Sequence, residues 1–203
     1  KERGVINEEW RMRRSAMMRM YEASFPKLYA GSKYANRMPI GTMDVVMNFK
    51  YDDLRSYYHK WYRPDLQGII VVGDIDVDQI ESKIKAMFSH IKMPENPATR
   101  EYYPVPDNKE PIIDIQKDKE QDRTTIYLMY KHRIFPREGK GTMAYYVYSY
   151  MNGAISGMFS DRISEMLQKE NPPFLGASVS DGEYLVSKTK GAFTGATVCK
   201  DNG

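Results

Sequence analysis

Two glutamates near the start of the chain, Glu2 and Glu9, stand seven residues apart in a stretch from Lys1 to about Ser24 that has high helix propensity and no proline. Seven residues make two helical turns, so both carboxylates project from one face. Acidic residues also suit the macrodipole at a helix start, so the spacing of Glu2, Glu8 and Glu9 assigns them no chemistry by itself. The three histidines, His59, His90 and His132, are scattered without ligand spacing. His59 reads as a packing or surface residue, His90 and His132 as exposed ends of elements, and none is expected to bind metal. Cys199 is the single cysteine, which excludes an internal disulfide framework and a Cys-rich metal site.

Arg11, Arg13, Arg14 and Arg19, with Trp10 and Tyr21 among them, give the first helix a basic side. The whole chain of 203 residues balances 30 basic against 27 acidic residues, a net charge of +3, so no bulk electrostatic case for nucleic acid or a membrane surface survives. Met12, Met17, Met18 and Met20 read as core filler rather than as a promiscuous groove. No apolar run approaches the ~20 residues that span a bilayer, and no signal-peptide pattern opens the chain. With 41% hydrophobic and 12% aromatic residues the chain is globular.

The elements that would position these residues follow from periodicity and punctuation. Pro26 is expected to end the first helix, and Thr42 to cap a short helix through Asn48. The chain is organised around Tyr51 to Asp76. Leu54, Tyr57, Tyr58 and Trp61 recur at helical spacing, and Pro64 stops that helix near Tyr62. Gly68 to Val72 is a β-branched run without polar alternation, the pattern of a strand covered on both faces. Asp76 caps an amphipathic helix from Val77 to His90, with Ile80, Ile84, Met87, Phe88 and Ile91 on one face packed on that strand. Four prolines between Met93 and Glu110 mark a linker. Beyond it, Pro111 to Lys117 and Thr124 to Lys131 alternate with period two, as neighbouring strands do. Residues 141–169 read as a helix interrupted around Gly153 to Gly157, with Ser160-Asp161 capping the second piece. Phe174 to Val179 and Leu185 to Val198 read as a hairpin turned at Asp181-Gly182. The architecture expected is α+β in two parts, with helices packed on mainly antiparallel sheets.

Glu2-Arg3-Gly4-Val5-Ile6-Asn7-Glu8-Glu9 resembles the third-ligand helix of the pitrilysin/insulinase family, zinc peptidases with an inverted H-x-x-E-H motif. Met38 to Thr42, Tyr51 to Leu54, Tyr58 to Pro64 and Ile69 to Asp76 resemble the second half of that family's first domain, in the same order. Ser160-Asp161-Arg162-Ile163 and Phe174 to Ser178 resemble the opening of the next homologous domain.

The resemblance implies that Glu9 is the protein's third zinc ligand and that Glu2 stands behind the ligands and orients them. Two histidines and one carboxylate would leave zinc a position for the water used in peptide hydrolysis. No H-x-x-E-H occurs here, so the ligand histidines and the general base are expected upstream of Lys1. Gln168 and Leu175 stand where the family's distal domain uses an arginine and a tyrosine, which makes the second part non-catalytic. The expectation is a fragment inactive by itself: residues 1–92 from the metal-bearing domain, 93–110 a linker, and 111–203 the start of a second, inactive domain. Its parent would be a zinc metalloendopeptidase for peptides or unfolded polypeptides, with the rest of the parent chain as partner and a homo-oligomer left open. No nucleic acid and no membrane span are expected. A bacterial member would be exported to the periplasm, the cytoplasm being the alternative. A non-catalytic binding or structural homologue is the rival reading.

Overall fold

The computed structural model describes residues 2–200. It holds two compact units. The larger comprises the residues up to Gly41 together with those from Tyr102 onward; the smaller is Thr42–Glu101. The second cut, between Glu101 and Tyr102, lies inside the proline-rich segment 93–110.

The larger unit opens with α1 (Glu2–Arg13) and α2 (Ala16–Leu28). The single first helix expected from the sequence is broken at Arg14-Ser15, where the Ser15 hydroxyl accepts the amide of Met18 and starts a new helix. Pro26 does not end that helix. It sits in the last turn of α2, where its missing N–H removes one late ladder bond, and the helix runs on to Leu28.

The antiparallel sheet of this unit is built from β1 (Thr125–His132), β2 (Gly176–Glu183) and β3 (Gly191–Val198) in the order β1-β3-β2. The hairpin forms, but its turn is not at Asp181-Gly182, which lie within β2 opposite Phe193 and Ala192. The connection is 184–190. There the Ser187 hydroxyl accepts the amides of Thr189 and Lys190 at 3.1 Å each, and Leu185 takes a positive φ of 55°. Between β1 and β2 runs α6 (Met143–Leu167), capped by Thr142 and uninterrupted over 25 residues. Gly153 and Gly157 weaken such a helix but keep their N–H groups, so the ladder passes through them and no second cap forms at Ser160.

Against the face of the sheet opposite α6, α2 delivers Phe25 and Tyr29 onto Val105, Tyr184 and Ala192, the main core cluster. Tyr29 meets Phe25 and Tyr184 edge-on at 5.3 and 5.4 Å. Its buried hydroxyl donates to the Tyr184 carbonyl at 2.8 Å and accepts from the Val186 amide at 2.9 Å, tying α2 to the β2–β3 connection.

Residues 111–117 are extended but pair with no strand, so the expected ladder with β1 is not formed. Their burial alternates with period two, and the half-buried side faces α2 through Lys27, which donates to the Ile113 carbonyl and lies 4.0 Å from Asp114. Just beyond, Arg19 holds Asp118 through two bonds of 2.6 Å and Glu120 through one of 2.7 Å. The guanidinium, with the Glu120 amide, lowers the Asp118 carboxyl to about 2. A carboxyl lowered on folding adds stability above its unfolded pKa of about 4 and loses it as pH falls through 2. Arg19→Ala is therefore expected to move the Asp118 titration, followed by carboxyl NMR, up toward about 4. A midpoint that stays near 2 would assign the shift to the amide alone.

The smaller unit consists of α3 (Met43–Asn48), α4 (Tyr51–Trp61) and α5 (Val77–Phe88) with a short 3-10 turn at Pro64–Leu66. Thr42 caps α3, and Asp76 caps α5 by accepting the Gln79 amide at 3.0 Å, as the sequence indicates. Arg63 is buried: it bonds both oxygens of Asp65 at 2.9 and 3.0 Å and donates to the Ala98 carbonyl at 2.8 Å. That clamp ties the end of α4 to the proline-rich segment and holds the Asp65 carboxyl below the usual range. The expected covered strand at Gly68–Val72 is not formed: the segment is unpaired and exposed. A strand requires a hydrogen-bonded neighbour, and none stands beside it among the described residues. With no strand formed there, α5 has nothing to pack on and carries no buried residue.

Candidate functional site

Helix α1 presents Glu2 and Glu9 to solvent, and none of its residues is buried. The Glu9 carboxylate pairs with Arg13 one turn on at 2.8 Å, and Glu8 pairs with Arg11 at 2.7 Å. Exposed pairs of this kind contribute a few tenths of a kcal/mol, about 0.3–0.5. Glu9 can therefore turn from Arg13 toward another partner at little cost. His59 and His90 are exposed. Among the described residues no three of His, Cys, Asp and Glu converge as a metal site. The donor set on this chain thus fits one carboxylate arm of a centre and not a complete one. Gln168 caps the end of α6 and Leu175 precedes β2.

The structure assembles a polar cluster that the sequence does not announce. Asp181 of β2 accepts from Tyr148 at 2.9 Å and from Asn152 at 3.1 Å, both on α6, and its other oxygen meets Nε2 of His132 at 2.9 Å. The second ring nitrogen of His132 lies 2.9 Å from the Arg133 carbonyl. His132 does end β1 as expected, but it is half-buried and paired rather than exposed. Partners 29 to 49 residues apart leave no local sequence signal. A carboxylate already holding three groups is a structural cross-link between β1, β2 and α6, not a free base. Burial, with the bond to Asp181 adding to it, raises the Tyr148 phenol.

The strand opposite makes room for this cluster. A Cβ on Gly191, the register partner of His132, would lie 2.5 Å from that ring. Because both ring nitrogens are engaged, the ring cannot yield freely. Gly191→Ala is expected to lower stability by about 1–3 kcal/mol, measured by chemical denaturation. The double variant with His132→Ala should recover most of what the clash removes; an unchanged midpoint for the single variant would show that the ring is not pinned.

An open cleft of about 570 Å³ in the larger unit is lined by Lys27, Leu28, Pro106, Ile112, Ile113 and Lys131 among others. Its two ammonium groups are spent on backbone: Lys131 donates to the Pro106 carbonyl at 3.0 Å and Lys27 to that of Ile113. Burial lowers the Lys131 ammonium. The cleft thereby clasps the extended segment 106–113 instead of presenting charge to a ligand. No helix among the described residues is long and apolar enough to cross a membrane.

Comparison with known proteins gives the chain its relatives. The chain is 43% identical over 99 residues to the probable zinc protease PqqL of Haemophilus influenzae, covering 49% of this chain and 10% of that one. It is 38% identical over 131 residues to the probable zinc protease PqqL of Escherichia coli, covering 64% of this chain and 14% of that one. The crystal structure of the first half of the periplasmic protease PqqL from Escherichia coli superposes with a TM-score of 0.81 at 27% identity, over 98% of this chain and 42% of that chain. The chain therefore spans a small part of its curated relatives and less than half of that solved structure. Its α+β fold is that of the PqqL half. A model of the peptidase M16 inactive domain matches residues 48–185, and the chain belongs to the M16, or pitrilysin/insulinase, family of peptidases.

Proposed function

We propose that this chain is part of a zinc metalloendopeptidase in which Glu9 supplies the carboxylate ligand to the metal and Glu2 orients its neighbours. The observation that carries the reading is the placement of Glu2 and Glu9 on an exposed helix ahead of the region matched by the M16 domain, in a chain whose relatives are named zinc proteases. Zinc, when bound, would activate a water for attack on a peptide carbonyl. The part played by this chain is to present one carboxylate on a helix whose own ion pair releases it readily. The 203 residues alone hold no complete metal site among those described, and are expected to hydrolyse nothing. Residues 1–92 then belong to the metal-bearing domain and 111–203 to a second, non-catalytic one, joined by 93–110, with α2 of the first part packed on the sheet of the second. Peptides or unfolded polypeptides are the substrate class. The similarity to a periplasmic protease supports an exported, periplasmic location, with the cytoplasm as the alternative.

Metal analysis of the longer gene product tests this reading, with one zinc per chain as the expected result. A longer product that carries no zinc would overturn it. The second reading, a homologue that binds or scaffolds without catalysis, is favoured by one observation: the family description that matches residues 48–185 is of the inactive domain.

A further inference from the structure

Two lysines line the open cleft of the larger unit, and their surroundings differ. Lys27 is 56% exposed and stands 4.0 Å from Asp114, which favours its ammonium. Lys131, near the end of β1, is half-buried, and Asp107, the carboxylate that bears on it, is taken up by Lys190 at 2.8 Å. Burial and the like charge of Lys190 work against the Lys131 ammonium. Asp107 and the Tyr184 ring, 5.2 Å from Nζ, work for it, and burial prevails. The site thus combines an amine nucleophile, a cavity open to small molecules and a neighbouring cation.

We propose that Lys131 is a carbamate-forming site, whose amine adds reversibly to carbon dioxide in this cleft and places the new anion where the Lys190 ammonium bears on it. The lone pair of the neutral amine attacks the carbon. An N–C bond forms, one C=O π pair moves onto oxygen, and a proton leaves nitrogen for water. No oxidant, reductant or further reactant enters the balance. Three features of the site fit the product. Its remaining N–H can still donate to the Pro106 carbonyl, which Lys131 meets at 3.0 Å, so the tie to segment 106–113 survives. The charge on the side chain changes sign, and the repulsion from Lys190 becomes an attraction. Leu28, Pro106, Ile112 and Ile113 line the cleft and limit the water that would return a proton to the carbamate nitrogen, the step that releases carbon dioxide. None of this depends on zinc or on peptidase activity.

Triethyloxonium ions ethylate a carbamate and fix it, so trapping the full-length gene product under isotopically labelled carbon dioxide, followed by peptide mass spectrometry, reads each lysine separately. At neutral pH the label at Lys131 is expected to saturate as dissolved carbon dioxide rises and to exceed that at Lys27 by at least about 10-fold, the change in neutral amine for one pKa unit. Equal label at the two, or none at Lys131, overturns the proposal. Repeating the trap in urea asks whether the fold makes the difference. The preference for Lys131 should vanish there, and a preference that persists would belong to local sequence and overturn the proposal. Asp107→Asn supplies a variant at a side chain that is 76% exposed, so folding is not at stake. It removes the one carboxylate that favours the Lys131 ammonium and competes for Lys190. Label at Lys131 under limiting carbon dioxide should rise by about 2–5-fold. An unchanged or lower label in that variant overturns the proposal.

Discussion

Tyr29→Ala is expected to remove most of the stability of the larger unit. Tyr29 is fully buried at the centre of the Phe25–Tyr184–Ala192 cluster, and truncating a core aromatic costs about 3–5 kcal/mol. The deletion also strands the Tyr184 carbonyl and the Val186 amide, which share its hydroxyl. Tyr29→Phe isolates that second effect and should cost about 1–3 kcal/mol, since the ring stays and only the two buried groups lose their partner. Set against a domain stability of about 5–15 kcal/mol, the alanine variant should lose its near-ultraviolet dichroism while the phenylalanine variant keeps it. Equal losses in the two variants would mean that the hydroxyl, not the packing, holds α2 on the sheet.

The same residue predicts an alkaline limit. Burial pushes the Tyr29 phenol up to about 12, and burial with the Tyr127 hydrogen bond does the same to Tyr21. A phenol raised on folding contributes stability in full below its unfolded pKa of about 10 and loses it as pH climbs toward 12. For Tyr29 that amounts to about 2–3 kcal/mol. Stability measured against pH should therefore fall between these limits, and Tyr29→Phe should flatten the fall. An alkaline limb of unchanged slope in that variant would place the titrating group elsewhere.

Local signals account for much of the fold. Thr42 and Asp76 each cap the helix that their side-chain oxygens predict, α4 ends before Pro64 as its ring demands, and the period-two run ending at Lys131 is β1. The departures share a cause in tertiary context. Pro26 and the glycines of α6 carry their usual penalties, but α2 is held by Tyr29 and α6 by its contacts with Asp181 and Phe193, and packing outweighs local preference. The β2–β3 turn lies several residues past Asp181-Gly182 because Ser187 and Tyr29 satisfy the connection there, one of them from more than 150 residues away. At the candidate site the sequence identifies a helix with carboxylates seven apart and goes no further, since the spacing of two glutamates carries no information about metal partners on other segments. The Asp181 cluster, which brings together β1, β2 and α6, was invisible for the same reason.

Glu9→Gln in the full-length gene product is the substitution expected to have the largest functional effect. The amide keeps the size of the side chain and a neutral oxygen but loses the negative charge that a hard carboxylate ligand offers a divalent cation. Removing a residue that merely supports a ligand costs about 10–100-fold in metal affinity, so losing the ligand itself should exceed about 100-fold, with peptidase activity falling in parallel. Folding should be untouched, because Glu9 is exposed and its pair with Arg13 is worth only tenths of a kcal/mol. Glu8→Gln is the matched control: it stands next along the same helix, pairs with Arg11 in the same manner, and should retain zinc. Glu2→Gln should fall between them, at about 10–100-fold, if its proposed part is to orient the ligands and not to bind the metal. If Glu8→Gln and Glu9→Gln weaken zinc equally, the helix contributes charge in general and not a ligand. If neither does, the proposed metal carboxylate lies outside α1 and the assignment of Glu9 fails.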